Sequence, residues 1–172
     1  MRIVAGKWKG RHLTPPTGRT VRPTADRVRE AWMSIVQPDL AEARVLDLFA
    51  GSGALGIEAL SRGASEVVFV EAAPRSIQSL RANLTLLGAG PEAVVHRGDA
   101  LRFAERLGPG DFDVAFADPP YALGMAEHIA RQWLKVPFAR VLGIEHEKRL
   151  DLPESADRRV YGDTVVTFYR SP

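Results

Sequence analysis

Residues 44–56, Arg-Val-Leu-Asp-Leu-Phe-Ala-Gly-Ser-Gly-Ala-Leu-Gly, restrict the fold more than any other part of the chain. Val45 to Phe49 is an apolar run broken only by Asp47, which suits a strand buried on both faces of a parallel sheet. Gly51, Gly53 and Gly56 follow, and Leu55, Ile57 and Leu60 then take up a helical spacing. Strand, glycine turn and helix in this order is the layout of a nucleotide-type cofactor site at the carboxyl end of a parallel sheet. Gly51 and Gly53 carry no Cβ, so the backbone can turn sharply and a ligand can approach it closely.

The glycine spacing also fits a dinucleotide site and does not by itself choose a cofactor. Asp47 tilts the choice. A carboxylate at the strand end repels a pyrophosphate but favours a cation, such as the ammonium and sulfonium of S-adenosylmethionine. A second reading stands beside this one, in which Asp47 is a buried acid satisfied by loop amides and the glycines only turn the chain.

The other strands and helices extend the same sheet. Glu66–Glu71, Ala93–Asp99, Phe112–Ala117 and Arg140–Glu145 read as further strands, separated by helical patterns over 75–87, 100–107 and 125–134. Thr24 is expected to cap a helix from Ala25 to about Val36, with Val28, Ala31, Trp32, Ile35 and Val36 inward and Asp26, Arg27, Arg29 and Glu30 largely elsewhere. Arg158–Tyr161 and Val165–Tyr169 form a hairpin about Gly162-Asp163. The expectation is an α/β doubly wound sheet, mostly parallel, with an antiparallel C-terminal hairpin.

At 172 residues the chain has the length of one domain. It contains no cysteine, which excludes disulfides, thiolate metal sites and a cysteine nucleophile. His12, His96, His128 and His146 are scattered singly, without ligand spacing, so no metal site is expected. The start is neither a signal peptide nor a membrane span, and a cytoplasmic location is expected.

Charge is uneven. Residues 1–30 hold eight Lys or Arg against two acids, whereas the remainder holds fifteen against nineteen. A basic front on a mildly acidic body suggests a polyanion held at one end. Residues 1–13 read as a small hairpin turning near Gly6-Lys7-Trp8, followed by a proline-rich linker over 14–23. Trp8 lies among Lys7, Lys9 and Arg11, and either stacks on a base or packs the hairpin onto the domain.

Two strand-end acids extend the cofactor argument. Glu71 lies 24 positions after Asp47, where such folds place an acid on the ribose hydroxyls. Asp99 could reach an adenine amino group or cap the next helix, and the sequence leaves both open.

Asp118-Pro119-Pro120-Tyr121 chooses the chemistry. It falls at the carboxyl end of the fourth strand, in the crevice where such folds bind ligands. An exocyclic amino group on a base is a poor nucleophile, because its lone pair is delocalised into the ring. The Asp118 carboxylate and a proline carbonyl can accept its two N–H bonds, aim the lone pair at a donor methyl and stabilise the positive charge growing on nitrogen. Pro119 and Pro120 stiffen the loop, and Tyr121 offers a flat face to a base drawn out of its stack.

With these residues the chain closely resembles the Asp/Asn-Pro-Pro-Tyr amino-methyltransferases, and among them the RsmD-type guanine-N2 methyltransferases of small-subunit ribosomal RNA. The resemblance runs through Arg2-Ile-Val-Ala-Gly6, Arg22–Glu30, Leu46–Ala59, Phe69-Val-Glu71, Asp118–Tyr121 and Tyr161-Gly-Asp-Thr164. It implies a Rossmann-like methyltransferase fold, S-adenosylmethionine as cofactor and one methyl placed on a single guanine near the ribosomal P site. It further implies cofactor contacts from Thr24, Asp47, Phe49, Ala50, Gly51, Ser52, Gly53, Glu71, Asp99 and Ala100, and catalysis at Asp118, Pro119, Pro120 and Tyr121. RNA contacts are expected from Lys7, Trp8, Lys9, Arg11, Arg19 and Arg22. Residues 1–22 are then an RNA-contacting hairpin and linker, 23–172 the catalytic domain, and the protein a monomer whose partner is small-subunit RNA or the assembling subunit. Rival readings are the same chemistry on another amino group, a nicotinamide-dependent oxidoreductase, and a non-catalytic RNA-binding module.

Overall fold

The computed structural model describes residues 1–15, 23–121, 123–155 and 157–172. Arg19, Arg22 and most of the expected linker lie outside the described residues. Seven strands, β1 (Arg44–Leu48), β2 (Glu66–Glu71), β3 (Ala93–Arg97), β4 (Phe112–Ala117), β5 (Ala139–Glu147), β6 (Asp157–Tyr161) and β7 (Thr164–Arg170), form one sheet in the order β3-β2-β1-β4-β5-β7-β6. The first five are parallel, and β7 runs antiparallel to both of its neighbours. The chain therefore ends in the expected hairpin, with β6 as the outer strand and β7 inserted between it and β5.

Among the described residues five α-helices cover the two faces: α1 (Pro23–Val36), α2 (Ala54–Ser61), α3 (Pro74–Leu87), α4 (Ala100–Glu105) and α5 (Met125–Lys135). Val45, Leu46 and Leu48 of β1 are fully buried, as are Val67, Phe69 and Val70 of β2, which is why both strands read as nearly continuous apolar runs. One core joins α1, α2 and α3 to the sheet, and the other joins α4 and α5 to its opposite face. Among the described residues no helix is long and apolar enough to cross a membrane.

Several expectations need correction. Helix α1 begins at Pro23, two residues before the expected start at Ala25, which places Thr24 within its first turn. Proline suits a first turn, because its missing N–H would have no helical partner there. Arg29 is buried, because its guanidinium donates to the Arg2 carbonyl (2.8 Å) and to Asp26 (3.3 Å). Strand β3 stops at Arg97, and α4 stops at Glu105. Strand β5 runs further at both ends than the apolar pattern suggests, because Ala139 pairs with Phe112 of β4 and β7 pairs with β5 as far as Thr164 opposite Glu147.

The front of the chain makes a single antiparallel bridge, Arg2 to His12, and otherwise turns. It is tied to α2 as well as to itself. Glu58 of α2, almost fully buried, accepts the N–H groups of Val4 (2.9 Å) and Ala5 (3.2 Å). The Ser61 hydroxyl donates to the Ala5 carbonyl (2.6 Å) and accepts from the Trp8 N–H (3.0 Å), while its carbonyl accepts from the Lys7 N–H (2.9 Å). A Cβ at Gly6 would lie 1.7 Å from the Ser61 carbonyl oxygen, so only glycine lets the arm approach so closely.

Trp32 of α1 packs edge-on against Phe116 of β4 (5.6 Å between centroids) and Phe168 of β7 (6.4 Å), joining the parallel sheet to the hairpin. Its ring lies over Gly143 of β5, where a Cβ would come within 2.5 Å of Nε1. Gly143→Ala is expected to lower stability by about 1–3 kcal/mol, because overpacking a close-packed core forces backbone or rotamer shifts. Urea denaturation checks this, and an unchanged midpoint would show that the ring can move aside.

Candidate active site

Strand order reverses between β1 and β4, and ligands bind outside the carboxyl ends of the strands at such a switch point. Pairing ends at Leu48 opposite Val70 and Ala117, and at Ala117 opposite Ile144. The glycine turn, Glu71, Asp118 and Glu145 therefore emerge along one edge of the sheet.

The turn after β1 is wound tightly. Phe49, Gly51 and Gly53 all have positive φ (58°, 58° and 89°). For a phenylalanine this costs on the order of 1 kcal/mol or more. The Ala50 N–H donates to the Val70 carbonyl (3.0 Å), tying the turn to β2. A Cβ at Gly51 would meet nothing within 4 Å, so its bare backbone faces open space. Gly53 and Gly56 instead press on Leu80 and Phe69, and Ser52 is buried beside them.

Asp47 is 1% exposed, and its carboxylate accepts the Gly56 N–H in the first turn of α2 (2.9 Å). Burial pushes its pKa well above the usual carboxylate range, the Gly56 bond opposes this, and Asp118 and Glu71 push it further up. Asp47 is thus a buried acid satisfied by a helix amide rather than by the loop amides expected, and Asp118 and Glu71 nearby disfavour its ionised form.

Glu71 crosses to the turn. One oxygen accepts the Gly51 N–H (2.8 Å) and the other accepts those of Ala72 and Ala73 (2.9 Å each). A carboxylate offers about four acceptor positions, so ribose hydroxyls at Glu71 would share or displace these amides. Asp99 caps α4, accepting the Arg102 N–H (2.9 Å), and Ala100 is buried beneath it.

At the end of β4, Asp118 is exposed, Pro119 is buried, and Pro120 and Tyr121 are exposed. The Tyr121 hydroxyl lies 2.9 Å from Thr164 Oγ1 at the start of β7 and donates to Glu145 at 3.5 Å. A crevice between this loop and β5 is lined by Pro119, Pro120, Tyr121, Glu145, His146 and Glu147. His146 is 1% exposed and bonds Thr167 Oγ1 (2.7 Å) and the Glu147 carbonyl (3.0 Å), and burial lowers its pKa. Among the described residues no group of three or more His, Asp or Glu could hold a metal ion.

Lys7, Lys9 and Arg11 are exposed together on the front arm, and Arg11 reaches the Leu86 carbonyl (2.9 Å). Trp8 corrects the expectation of a stacking platform. Its ring is 9% exposed and belongs to the core, with Lys7 Nζ 4.4 Å from its centroid. The sequence reading missed Asn83 of α3, whose amide donates to the Thr14 carbonyl (2.9 Å) and the Ser52 carbonyl (3.1 Å) and accepts the Thr14 N–H (2.9 Å). It thereby joins the arm to the glycine turn. The available signal was an amide three residues after Leu80, on the apolar stripe of that helix.

The fold and this edge of the sheet define a Rossmann-like S-adenosylmethionine-dependent methyltransferase architecture. In fold the chain resembles the T. thermophilus 16S rRNA N2 G1207 methyltransferase RsmC, solved with AdoMet and guanosine (TM-score 0.69, 22% identity, 91% of this chain and 45% of that one). A family profile described as conserved hypothetical protein 95 matches residues 1–170. Ribosomal RNA small subunit methyltransferase D of Haemophilus influenzae is 37% identical over 99% of this chain and 92% of its own length. The solved structure of Escherichia coli yhhF matches 99% of this chain and 97% of its own, at 34% identity and a TM-score of 0.85. The chain belongs to this RsmD-type family.

Asp47→Asn tests the charge argument. A folded pKa above the unfolded 3.8 means that the native state binds the proton longer, so stability is lost as pH rises above 3.8 towards the folded pKa. The asparagine variant keeps an acceptor for Gly56 and loses this dependence. Its stability should match the wild type at about pH 3.5 and exceed it towards neutrality. Denaturation curves that stay parallel across that range would contradict the assignment.

Proposed function

We propose that this protein transfers the methyl group of S-adenosylmethionine to the exocyclic N2 amino group of a single guanine in small-subunit ribosomal RNA, near the P site. The observation that carries the reading is the position of Asp118-Pro-Pro-Tyr121 at the carboxyl end of β4, one strand from the glycine turn and on the other side of the switch point. The name of the Haemophilus influenzae relative supports ribosomal RNA as substrate.

The residues present fit the cofactor. Gly51 offers bare backbone to open space, and a desolvated Asp47 beside Asp118 and Glu71 favours a positively charged ligand. A pyrophosphate would meet repulsion from the same acids, which argues against a nicotinamide cofactor. When bound, the cofactor supplies an electrophilic methyl on a sulfonium. Asp47 and Glu71 hold the turn that receives it. Asp118 and the Pro119 carbonyl accept the two N–H bonds of the guanine amino group, turning its lone pair out of the ring and offsetting the charge that develops on nitrogen. The ring of Tyr121 stacks on the extruded base, fixed by Thr164 and Glu145. Positioning accounts for much of the rate, and Asp118 need not remove a proton before the methyl arrives. Lys7, Lys9 and Arg11 hold phosphates of the surrounding RNA.

Labelled donor incubated with small subunits from cells lacking the enzyme should yield one methylated guanine, mapped by digestion and mass spectrometry. Asp118→Ala should lower turnover by about 100-fold or more while S-adenosylhomocysteine still binds in calorimetry. Unchanged turnover would remove Asp118 from the mechanism. Charge reversal at Lys7, Lys9 and Arg11 should weaken RNA binding and flatten its salt dependence, by about one counterion for each phosphate no longer neutralised. An unaltered slope would mean that the arm touches no phosphate.

A further inference from the structure

We infer that Glu145 selects guanine, by accepting the N1–H of the base whose amino group Asp118 holds; this rests on the guanine-N2 reading above. Strands β4 and β5 are parallel and their pairing ends with Ala117 opposite Ile144, so Asp118, the first residue beyond β4, and Glu145 of β5 each follow a paired residue. Matched residues of adjacent parallel strands share a face and stand about 5 Å apart. The two acids therefore stand one strand apart at this edge of the sheet. Tyr121 limits the same space, since its hydroxyl reaches Glu145 Oε1 at 3.5 Å.

The donor pattern of the base makes this pair selective. Along its pairing edge guanine carries two neighbouring donors, the N2 amino group and N1–H. Adenine carries an amino group beside a bare N1, which is an acceptor. If Asp118 takes the amino group, the next atom along the edge meets Glu145. An ionised carboxylate accepts only, so it bonds the guanine N1–H and repels the adenine lone pair. Asp118 and the Pro119 carbonyl recognise an amino group of either base and cannot make this distinction. Asp118 thus serves the chemistry, and Glu145 the choice of base.

The test uses small subunits reconstituted with 2-aminopurine in place of the mapped guanine. This base keeps the N2 amino group but has a bare N1. Wild-type enzyme should show kcat/KM about 10- to 100-fold lower on 2-aminopurine than on guanine, as the loss of one hydrogen bond to a charged group implies. Glu145→Gln can donate to the bare N1 and should bring the two substrates within about threefold or reverse their order. Glu145→Ala should also collapse the ratio, through poorer turnover of guanine. Tyr121→Phe cuts the tether to Glu145 but leaves the carboxylate, so it should keep the wild-type ratio whatever it does to turnover. If Glu145 served only to hold Tyr121, Glu145→Gln would retain the wild-type ratio, and that result overturns the inference. Wild-type enzyme that methylates both bases equally overturns it as well. Both results leave guanine methylation intact, whereas absence of guanine methylation by the wild type would remove the underlying reading together with this one.

Discussion

A single carboxylate buried under a turn sets the terms for this molecule. Asp47 lies on β1, the middle one of the five parallel strands, with its oxygen on the Gly56 N–H, and so fixes where the strand ends and the helix begins. An acid so deeply buried costs stability even with that bond and the favourable end of a helix beside it. The protein retains it where Asp118 and Glu71 raise the cost further. Local chemistry that opposes folding and gathers at one edge of a sheet is expected where a ligand of opposite charge binds. The glycine turn above it has the same character, with Phe49 held in a left-handed backbone conformation.

The C-terminal hairpin belongs to this edge as much as the parallel strands do. It adds β7 beside β5, buries Phe168 against Trp32, and brings Thr164 to the hydroxyl of Tyr121. The loop after β4 thus gains a support from outside the parallel sheet. The tyrosine, nearly half exposed, is held there together with Glu145 of β5.

Elements with a strong pattern were legible in the sequence, and contacts between distant segments were not. Strands β1, β2 and β4 could be read because burial on both faces leaves an apolar run that tolerates few exceptions. The strand-end positions of Glu71 and Asp118 follow from those runs by counting. Arg29 was misplaced because helical periodicity treats every charge as solvent-facing, whereas its guanidinium crosses to a carbonyl at the other end of the arm. The ambiguity at Trp8 could not be settled by local sequence: the basic residues around it and the core beneath it are both real. Glu58, Ser61 and Asn83 escaped notice although each is a polar residue on a buried helix face, because only the folded chain shows what they meet. Thr164 stood within a recognised motif, but its partner lies 43 residues earlier in the chain.

The way the front arm is attached separates two demands on its sequence. Its polar anchorage to α2 uses the main chain of Val4, Ala5, Lys7 and Trp8, with Glu58 and Ser61 supplying the matching groups. The cationic heads of Lys7 and Lys9 take no part in that anchorage. That of Lys9 can vary while the seat beneath stays the same, whereas that of Lys7 lies over the Trp8 ring. Gly6 has no such freedom, since the smallest added side chain would unseat the whole segment.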